Sequence, residues 1–299
     1  MDFKEIAQRA GKLAQPYCIR DGDRFRLKDY DPDDTLDLDP RDKPRAKQML
    51  AAGVEALAAL QERLYAQDRW AVLLVFQAMD AAGKDSAIKH VMSGVNPQGC
   101  QVHSFKAPSA EELDHDFLWR CATRLPERGR IGIFNRSYYE EVLIVRVHPE
   151  LLDRQNLPPG VNRKNIWKER YEDIRGFERY LSRNGVLIRK FFLHVSRQEQ
   201  RRRFLRRLND PEKQWKFAAA DLREAERWDE YMRAYEDMIA ATATEHAPWY
   251  VVPADHKWFT RLVVSSAIVE SLCALDLRFP KLSDEQRAEI AAARTELDA

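Results

Sequence analysis

A short segment around Lys84 has the residue types of a phosphate-binding loop. The segment runs from Gln77 to Ser86 with the sequence QAMDAAGKDS, and it follows a run of apolar residues. The template G-x-x-x-x-G-K-[ST] places small residues where backbone amides approach phosphate oxygens, and a lysine whose charge reaches them. Gly83 and Lys84 fit its second half, whereas Ala78 replaces the first glycine and Asp85 replaces the hydroxyl residue. An ordinary small-residue turn before a helix is the alternative interpretation of this pattern alone.

Asp80 lies in the middle of this loop, where a carboxylate repels a bound phosphate unless a cation lies between them. Mg²⁺ prefers oxygen ligands and is commonly held by one or two carboxylates together with substrate phosphates. Asp80 is therefore a candidate Mg²⁺ ligand, or a group that orients an attacking phosphate.

A second polar segment, residues 133–141 with the sequence IFNRSYYEE, follows another apolar run. In open α/β sheets the ligand crevice lies at the carboxyl ends of the strands, so we expect this segment beside the phosphate loop. Arg136 is a candidate for neutralising a transferring phosphate, and Glu140 for facing the crevice. A simple helix start, with Ser137 as N-cap and Glu140 as its capping-box partner, explains those two residues equally well.

The densest basic stretch runs from Arg197 to Lys216 and contains eight Arg or Lys against three acidic residues, a local charge of +5. Ser196 and Glu199 have the spacing of a capping box, which predicts that a helix starts here. Arg203 and Arg207 are four residues apart and so can share one helix face. About half of these basic residues are expected in solvent. The others can form a lid over a polyanion, because guanidinium groups bind phosphate bidentately.

The elements that must position these segments alternate along the chain. Leucine and valine at helical spacing predict a helix from about Pro44, and a short apolar run at Trp70–Phe76 is typical of a strand buried on both faces. Further strands are predicted at Gln101–Phe105, Arg130–Phe134, Val186–Leu193 and Trp249–Pro253, with helices between them, one opened by the capping box Ser109–Glu112. This alternation predicts an α/β sandwich with a mostly parallel sheet.

Composition excludes several other classes of protein. The chain has 299 residues, 49 Lys and Arg against 48 Asp and Glu, and a formal net charge of +1. General nucleic-acid and membrane-surface binders usually have a basic excess, and disordered chains combine low hydrophobicity with high net charge. Four scattered cysteines and an N-terminus without a long apolar segment predict a reduced, cytoplasmic protein. No run approaches the ~20 apolar residues that a membrane helix needs.

Local charge differs from this overall balance. Residues 21–40 contain eight Asp against three basic residues, a local charge of −5, and include Pro32 and Pro40. We interpret this segment as part of an extended N-terminal arm, residues 1–43, before a single domain of residues 44–299 with a lid inserted at residues 197–217. The arm is a candidate contact with a neighbouring copy in a homo-oligomer.

Five segments together resemble polyphosphate kinase family 2, in particular its single-domain members. They read AMDAAGKDS, FKAPSAEELDHDFLWR, IFNRSYYEEVLIVRVHP, FFLHVSRQEQRRRFLRRLNDPEKQWKF and APWYVVPADHKWFTRL, and the resemblance extends from about Leu64 to Ile268. The family pattern includes an aspartate in the phosphate loop and an Asn-Arg-Ser at the end of the later strand. The departures from the general loop template are therefore expected within this family.

The resemblance implies a P-loop kinase fold: a three-layer α/β/α sandwich with a parallel sheet of about five strands and a helical lid. It implies Mg²⁺-dependent transfer (Mn²⁺ being an alternative metal) of terminal phosphoryl groups between inorganic polyphosphate and nucleoside mono- or diphosphates. It places Asp80, Lys84 and Arg136 at the transfer site. The further phosphate-binding residues it implies are Ala82, Gly83, Asp85, Ser86, Lys106, Arg201, Arg207, Lys213 and Lys216, and the nucleotide-binding residues are Asn135, Arg136 and Glu140.

Two other functions remain open from the sequence. An ATP-dependent nucleoside monophosphate or deoxynucleoside kinase uses the same scaffold, and function lies in the site and not in the fold. A non-catalytic nucleic-acid-binding protein is disfavoured, because the basic patch is single and short and no aromatic-interleaved binding surface is visible. Asp255 and Lys257, after the last predicted strand, are candidates for a position near the nucleotide base, which the sequence does not decide. Trp215 is either a lid packing residue or a stacking surface.

Overall fold

The structure, a computed structural model, describes residues 2–298, apart from the side chains of Pro40 and Lys216. Its centre is a six-stranded sheet in the order β1-β6-β5-β2-β4-β3. The five strands from β2 to β6 are parallel to their neighbours, and only β1, a two-residue edge strand, pairs antiparallel with β6. The strands are β1 (Cys18–Ile19), β2 (Ala71–Gln77), β3 (Cys100–Ser104), β4 (Ile131–Asn135), β5 (Val186–His194) and β6 (Trp249–Pro253).

Strand β2 lies between β4 and β5, and all seven of its residues are buried. A strand buried on both faces is a continuous apolar run, which is why the sequence pattern locates it within one residue. The five predicted strands are confirmed with end shifts of one residue or none, and the α/β class with five parallel strands is confirmed as well. The antiparallel β1 was not predicted, because two residues are too few to show a periodicity.

Helices cover both faces of the sheet and complete the three-layer sandwich. They are α1 (Phe3–Ala14), α2 (Lys43–Gln67), α3 (Lys84–Val91), α4 (Ala110–Leu113), α5 (Trp119–Ala122), α6 (Ile144–Val147), α7 (Ile166–Arg183), α8 (Arg197–Leu208), α9 (Ala219–Glu226), α10 (Trp228–Thr242), α11 (Lys257–Cys273) and α12 (Asp284–Leu297). Helices α1, α2 and α3 all contact α11, whereas α10 contacts α6 and α7. The capping box of Ser109 and Glu112 is present, although α4 is only four residues long.

The N-terminal segment, interpreted above as an extended arm, packs along the domain. Helix α1 lies on α11 and buries Ala10 and Ala14 in the main core. Leu27 is buried too, and its backbone N–H donates to Glu236 on α10 at 2.7 Å. Farther along, the Pro32 carbonyl accepts from Asp255 N at 3.0 Å. A few apolar residues between the aspartates hold the segment against the core. The prediction of an extended arm was based on charge and proline content, which do not reveal these apolar residues.

Among residues 2–298 no helix is long and apolar enough to span a membrane.

Candidate active site

A cleft of about 760 Å³ lies at the carboxyl ends of β2, β3 and β4, beneath the segment that joins α8 to α9. Its position agrees with the general rule for ligand sites in parallel sheets. It is lined by Met79, Asp80, Ala81, Gly83, Lys84, Asp85, Ser86, Ser104, Phe105, Lys106, Asn135, Arg136, Arg203, Arg206, Arg207, Lys213, Trp215, Asp221 and Lys257. Most residues expected at the site from sequence are therefore brought to one cavity.

The phosphate loop connects β2 to α3 through two residues with positive φ. Ala81 has φ 63° and Gly83, the N-cap of α3, has φ 108°. Lys84 is the first residue of α3, and its Nζ donates to the Ala78 carbonyl at 2.8 Å. The helix N-terminus and the lysine charge therefore meet at the same end of the loop, an arrangement that favours anions.

Lys84 is only 9% exposed, which affects its protonation. Burial, followed by the nearby positive charge of Arg136, lowers the pKa of the Lys84 ammonium to about 8, while Asp80, Glu140 and Asp85 oppose the shift. The lysine is thus a cation at neutral pH that loses its proton more easily than an ordinary surface lysine.

Arg136 lies between two carboxylates in the cleft. Its guanidinium donates to Asp80 at 2.8 Å and to Glu140 at 3.1 Å. The charges of Glu140 and Asp80 raise the pKa of Arg136, so this cation is permanent. Its backbone has φ 63°, and its N–H donates to the carbonyl of Phe76 at 3.0 Å. The end of β4 is therefore attached directly to the end of β2, next to the phosphate loop.

Glu140 takes a different role from that of a capping-box partner. Ser137 does cap the short helix that follows, by accepting from Tyr139 N at 3.2 Å. Glu140 instead accepts from Gln77 at 3.1 Å and pairs with Arg136. It stands behind Arg136 and is not one of the described residues lining the cleft.

The two polar residues that follow Lys84 are both hydrogen-bonded to other segments. The Asn135 amide donates to Asp85 at 2.7 Å, which joins the end of β4 to the start of α3. The Ser86 hydroxyl accepts from Arg261 on α11 at 2.9 Å. Lys106 also lines the cleft, and its backbone carbonyl accepts from Arg120 at 2.8 Å. Ala82, within the loop, is buried and is not among the described residues that line the cleft.

The basic residues of α8 and of the segment that follows it lie partly in the cleft and partly in solvent. Arg207 and Lys213 line the cleft, whereas Arg201 is exposed and lies outside the lining. The side chain of Lys216 is outside the described part of the structure. Lys213 also pairs with Asp210. Helical spacing alone does not distinguish a solvent-facing arginine from one that turns toward the cleft.

Arg203 and Arg206 line the cleft and were not assigned to it from sequence. Arg203 and Arg207 both line the cleft, which agrees with the expectation that they share a helix face, although Arg203 is 4% exposed and Arg207 is half-buried. Ser196 caps α8 by accepting from Glu199 N at 3.1 Å, but the Glu199 carboxylate pairs with Arg203 and Arg206 and does not complete a capping box. Arg202 contacts this carboxylate as well, so three arginines pair with Glu199 and its carboxylate does not bind the N-cap backbone.

Three other residues near the lid were unassigned or ambiguous in sequence. Asp221 on α9 lines the cleft and pairs with Arg207 at 3.7 Å. Lys257 lines it too, and burial together with the charges of Arg203, Arg206 and Arg261 lowers the pKa of Lys257 to about 8. Trp215 lines the cleft with 77% of its surface exposed, so it is not a core residue.

Asp255 does not face the cleft. Its carboxylate accepts from the backbone N–H and the hydroxyl of Ser196, at 2.7 and 2.6 Å. It thereby joins the loop after β6 to the start of α8.

A divalent cation could be held mainly by Asp80. This carboxylate lines the cleft, and its Oδ2 accepts no hydrogen bond from any described residue, while Oδ1 accepts from Arg136. Within residues 2–298 there is no group of three or more His, Cys, Asp or Glu able to form a closed metal cage. One free carboxylate oxygen in a cleft lined by several cations fits Mg²⁺, which keeps waters and substrate phosphates as its other ligands.

A family model for polyphosphate kinase 2 matches residues 40–279. The chain belongs to the polyphosphate kinase 2 family. The match includes the phosphate loop, the segment after β4 and the lid, which are the parts that form the cleft.

Relatives and solved structures agree with this family assignment. The chain is 56% identical over 256 residues to the ADP-polyphosphate phosphotransferase of Rhodopseudomonas palustris, covering 85% of this chain and 89% of that protein. It is 46% identical to the AMP/ADP-polyphosphate phosphotransferase of Meiothermus ruber, covering 89% and 95%. The crystal structure of polyphosphate kinase 2 from Arthrobacter aurescens TC1 superimposes with a TM-score of 0.84 at 40% identity, covering 93% of this chain and 95% of that one.

Proposed function

We propose that this protein transfers terminal phosphoryl groups between inorganic polyphosphate and nucleoside mono- or diphosphates, converting AMP or ADP to ADP or ATP, in either direction. One observation carries the proposal: in a chain of this family, the cleft brings the cations Lys84 and Arg136 beside the Asp80 carboxylate. The names of the relatives favour polyphosphate as donor over the alternative of an ATP-dependent nucleoside kinase.

The reaction demands positioning and charge neutralisation more than proton removal. In the synthetic direction, a terminal phosphate oxygen of the nucleotide attacks the end phosphorus of polyphosphate in line. This nucleophile is already anionic, and charge spreads over the equatorial oxygens of the transferred group. Lys84 and Arg136 lower the barrier by stabilising that charge in a cleft that is partly shielded from water.

Asp80 is proposed as the protein ligand of the metal. The residues fit Mg²⁺, and Mn²⁺ has the same preference for oxygen ligands. A bound divalent cation supplies positive charge to the phosphate oxygens. Arg136 holds one oxygen of Asp80 by a 2.8 Å hydrogen bond, so the carboxylate is oriented before any substrate arrives.

The lid is proposed to hold the phosphate chain. Arg207 and Lys213 line the cleft on that side, and Arg206 and Lys257 add further positive charge. Closure of such a segment excludes water, which protects the donor from hydrolysis. Asn135 and Arg136, with Glu140 behind them, are proposed to contact the nucleotide phosphates on the other side of the cleft.

The test is a donor and acceptor screen. Purified protein is incubated with Mg²⁺, polyphosphate as the sole donor and each of AMP, ADP, GMP and GDP in turn, and the nucleotides are then separated. We expect phosphorylated product from at least one acceptor, and the pattern reports the step and the base preference. A parallel series with ATP as the sole donor is the comparison. Turnover with ATP and none with polyphosphate would establish the nucleoside kinase alternative.

A further inference from the structure

Arg203 lines the phosphate cleft, but every one of its N–H donors is already used. An arginine side chain has five donors in a planar fork. Here Nε donates to Glu199 at 2.7 Å, Nη1 to the carbonyls of Ala81 and Ala82 at 3.1 and 2.6 Å, and Nη2 to those of Ala254 and Asp255 at 2.5 and 3.1 Å. Phosphate can bind this guanidinium only if some of these bonds are broken.

Two of the acceptors are peptide carbonyls of the phosphate loop. Gln200, one turn earlier on α8, donates to a third, the Asp80 carbonyl, at 2.9 Å. In a trans peptide the N–H and the C=O point in opposite directions. Since these carbonyls point toward α8 and accept its hydrogen bonds, the N–H groups of the same peptides point away from α8. Those peptides include the N–H groups of Ala81 and Gly83, and both residues line the cleft.

The other two acceptors lie after β6. Ala254 N donates to the His194 carbonyl at 2.9 Å, so this loop is attached to the end of β5. Arg203 therefore connects the phosphate loop to the carboxyl ends of two further strands. Both Arg203 and Glu199 have only 4% of their side chains exposed, and each neutralises the other's charge.

We propose that Arg203 is a positioning residue that holds the peptide groups of the phosphate loop in their binding orientation, and that it is not a ligand of the phosphate chain. This inference rests on the proposed phosphotransferase function. It separates Arg203 from Arg207, one helical turn later. The Arg207 guanidinium has a 3.7 Å contact with Asp221 and lies over the Phe204 ring, and it donates no hydrogen bond to a backbone carbonyl of the described residues, so its donors are available to an anion.

The test compares Arg203→Lys with Arg202→Lys. Lysine keeps the positive charge but cannot span four carbonyls, whereas Arg202 is an exposed neighbour that pairs with the same Glu199. Misplacing a catalytic element by about 1 Å can cost on the order of 100-fold in rate. We expect Arg203→Lys to lower kcat by about 10- to 100-fold while KM for polyphosphate changes less than about threefold. Arg202→Lys should retain both constants.

Backbone amide hydrogen exchange, measured without substrate, provides a readout independent of activity. We expect Arg203→Lys to exchange at least about tenfold faster at residues 80–84, with β2 and β4 unchanged, because exchange reports local opening. Gln200→Met, which removes one loop contact without changing a charge, should show the same change to a smaller extent. This second variant keeps the test decisive if Arg203→Lys does not fold.

Two results would overturn the proposal. One is a large rise in KM for polyphosphate with kcat retained in Arg203→Lys, as expected of a phosphate ligand. The other is unchanged exchange at residues 80–84 in the folded variants. A wild-type protein without phosphotransfer would instead refute the proposed function, and the exchange experiment would still report on the loop.

Discussion

Lys84 and Arg136, the two cations proposed to stabilise the transferred phosphoryl group, differ in how easily they lose their charge. Arg136 is permanently charged, because two carboxylates raise the pKa of a group that is already strongly basic. Lys84 is buried at the helix start, and its pKa is lowered to about 8. Burial lowers the pKa of a cationic side chain, whereas neighbouring carboxylates raise it. The charge of Lys84 is therefore more sensitive to pH than that of Arg136.

Activity should therefore decline above neutral pH. Lowering the pKa of a lysine means that its charge is present below about pH 8 and is lost as the pH rises through that value. We expect kcat/KM, which reports the free enzyme, to fall between about pH 8 and pH 9.5. The measurement is a pH profile at constant ionic strength and saturating Mg²⁺.

Lys257 has a similarly lowered pKa and needs its own control. If deprotonation of Lys84 causes the fall in kcat/KM, the Lys257→Arg variant should show the same fall over the same pH range. A kcat/KM that stays constant up to pH 9.5 in this variant would assign the fall to Lys257.

Asp80→Asn tests the proposed metal ligand. Asparagine keeps the size and an oxygen but removes the negative charge, so it weakens both Mg²⁺ binding and the pair with Arg136. We expect the variant to lose most phosphotransfer, by about 100-fold or more, while retaining the fold by circular dichroism. Turnover is measured over a Mg²⁺ titration. Normal turnover at the wild-type Mg²⁺ requirement would show that Asp80 has no role in transfer.

At the scale of elements, α8 has two parts with different partners. Its first two turns are attached to the phosphate loop through Gln200 and Arg203, whereas Arg207 near its end faces Asp221. Arg207 and Asp221 are in contact at 3.7 Å on this side of the cleft, so the helix connects the attached phosphate loop to the segment proposed as the lid.

Arg207→Ala should weaken the grip on the phosphate chain. We expect KM for polyphosphate to rise about tenfold, the equivalent of a lost charge-assisted hydrogen bond, with a smaller change in KM for the nucleotide. Initial rates are measured by varying each substrate in turn, with Arg202→Ala as the control on the same helix. Equal effects on the two KM values would count against a lid that binds the chain.

A buried network of polar side chains fixes the segment that follows β4. Tyr138 and Tyr139 each donate to Glu178 on α7 at 2.8 Å, and Lys190 on β5 pairs with Glu178 at 2.7 Å. These contacts fix the residues that directly follow Arg136. A buried ion pair of this kind is weak evidence for net stability, but losing one partner is costly.

Tyr139→Phe should destabilise the protein through this network. The change removes one buried donor to Glu178, and we expect a loss of about 1–3 kcal/mol in the free energy of unfolding. Urea denaturation measures it. The control is Tyr180→Phe, at an exposed tyrosine on α7, the helix that carries Glu178, and it should change the stability by less than about 0.5 kcal/mol. Equal stability of the two variants would contradict the energetic role of the network.

At the scale of the whole molecule, the acidic N-terminal segment lies close to the base of the basic segment that starts with α8. The acidic N-terminal segment reaches the loop after β6, where His256 contacts Asp33 at 2.9 Å and Asp255 N donates to Pro32. The Asp255 carbonyl, in turn, accepts from Arg203 at the base of the lid. The net charge of +1 is therefore the result of large local charges of opposite sign, and the positive side faces the cleft.

The terminal helices should contribute unequally to stability. Helix α1 packs on α11 and buries Ala10 and Ala14, whereas no residue of α12 is buried. We expect deletion of residues 2–14 to lower Tm by about 5 °C or more, and truncation after Pro280 to shift it by less than about 2 °C. Differential scanning calorimetry measures both. A larger loss from the α12 truncation would contradict the burial argument.

Local patterns located most of the fold. Five strands follow from continuous apolar runs, and the phosphate loop follows from small residues and Lys84 between a strand and a helix. The proximity of Arg136 to Asp80 was also expected, because ligand sites in parallel sheets lie at the carboxyl ends of the strands. Asp80 follows β2 and Arg136 follows β4, and these two strands are adjacent and parallel. The partners of Asp221 and the attachment of α1 were not visible, because they depend on contacts between distant parts of the chain.

The amino-acid sequence by itself determined the elements, the family resemblance and the residue types that meet phosphate. These are local properties, set by periodicity and by chemistry within one short segment. Only the tertiary structure decided which arginines of α8 face the cleft. It also decided that Arg203 uses four donors on backbone carbonyls and the fifth on the Glu199 carboxylate, while Arg207 forms no such set of bonds with the described residues. The physical reason is that hydrogen-bond saturation depends on acceptors supplied by three separate segments, which meet only when the sheet has formed.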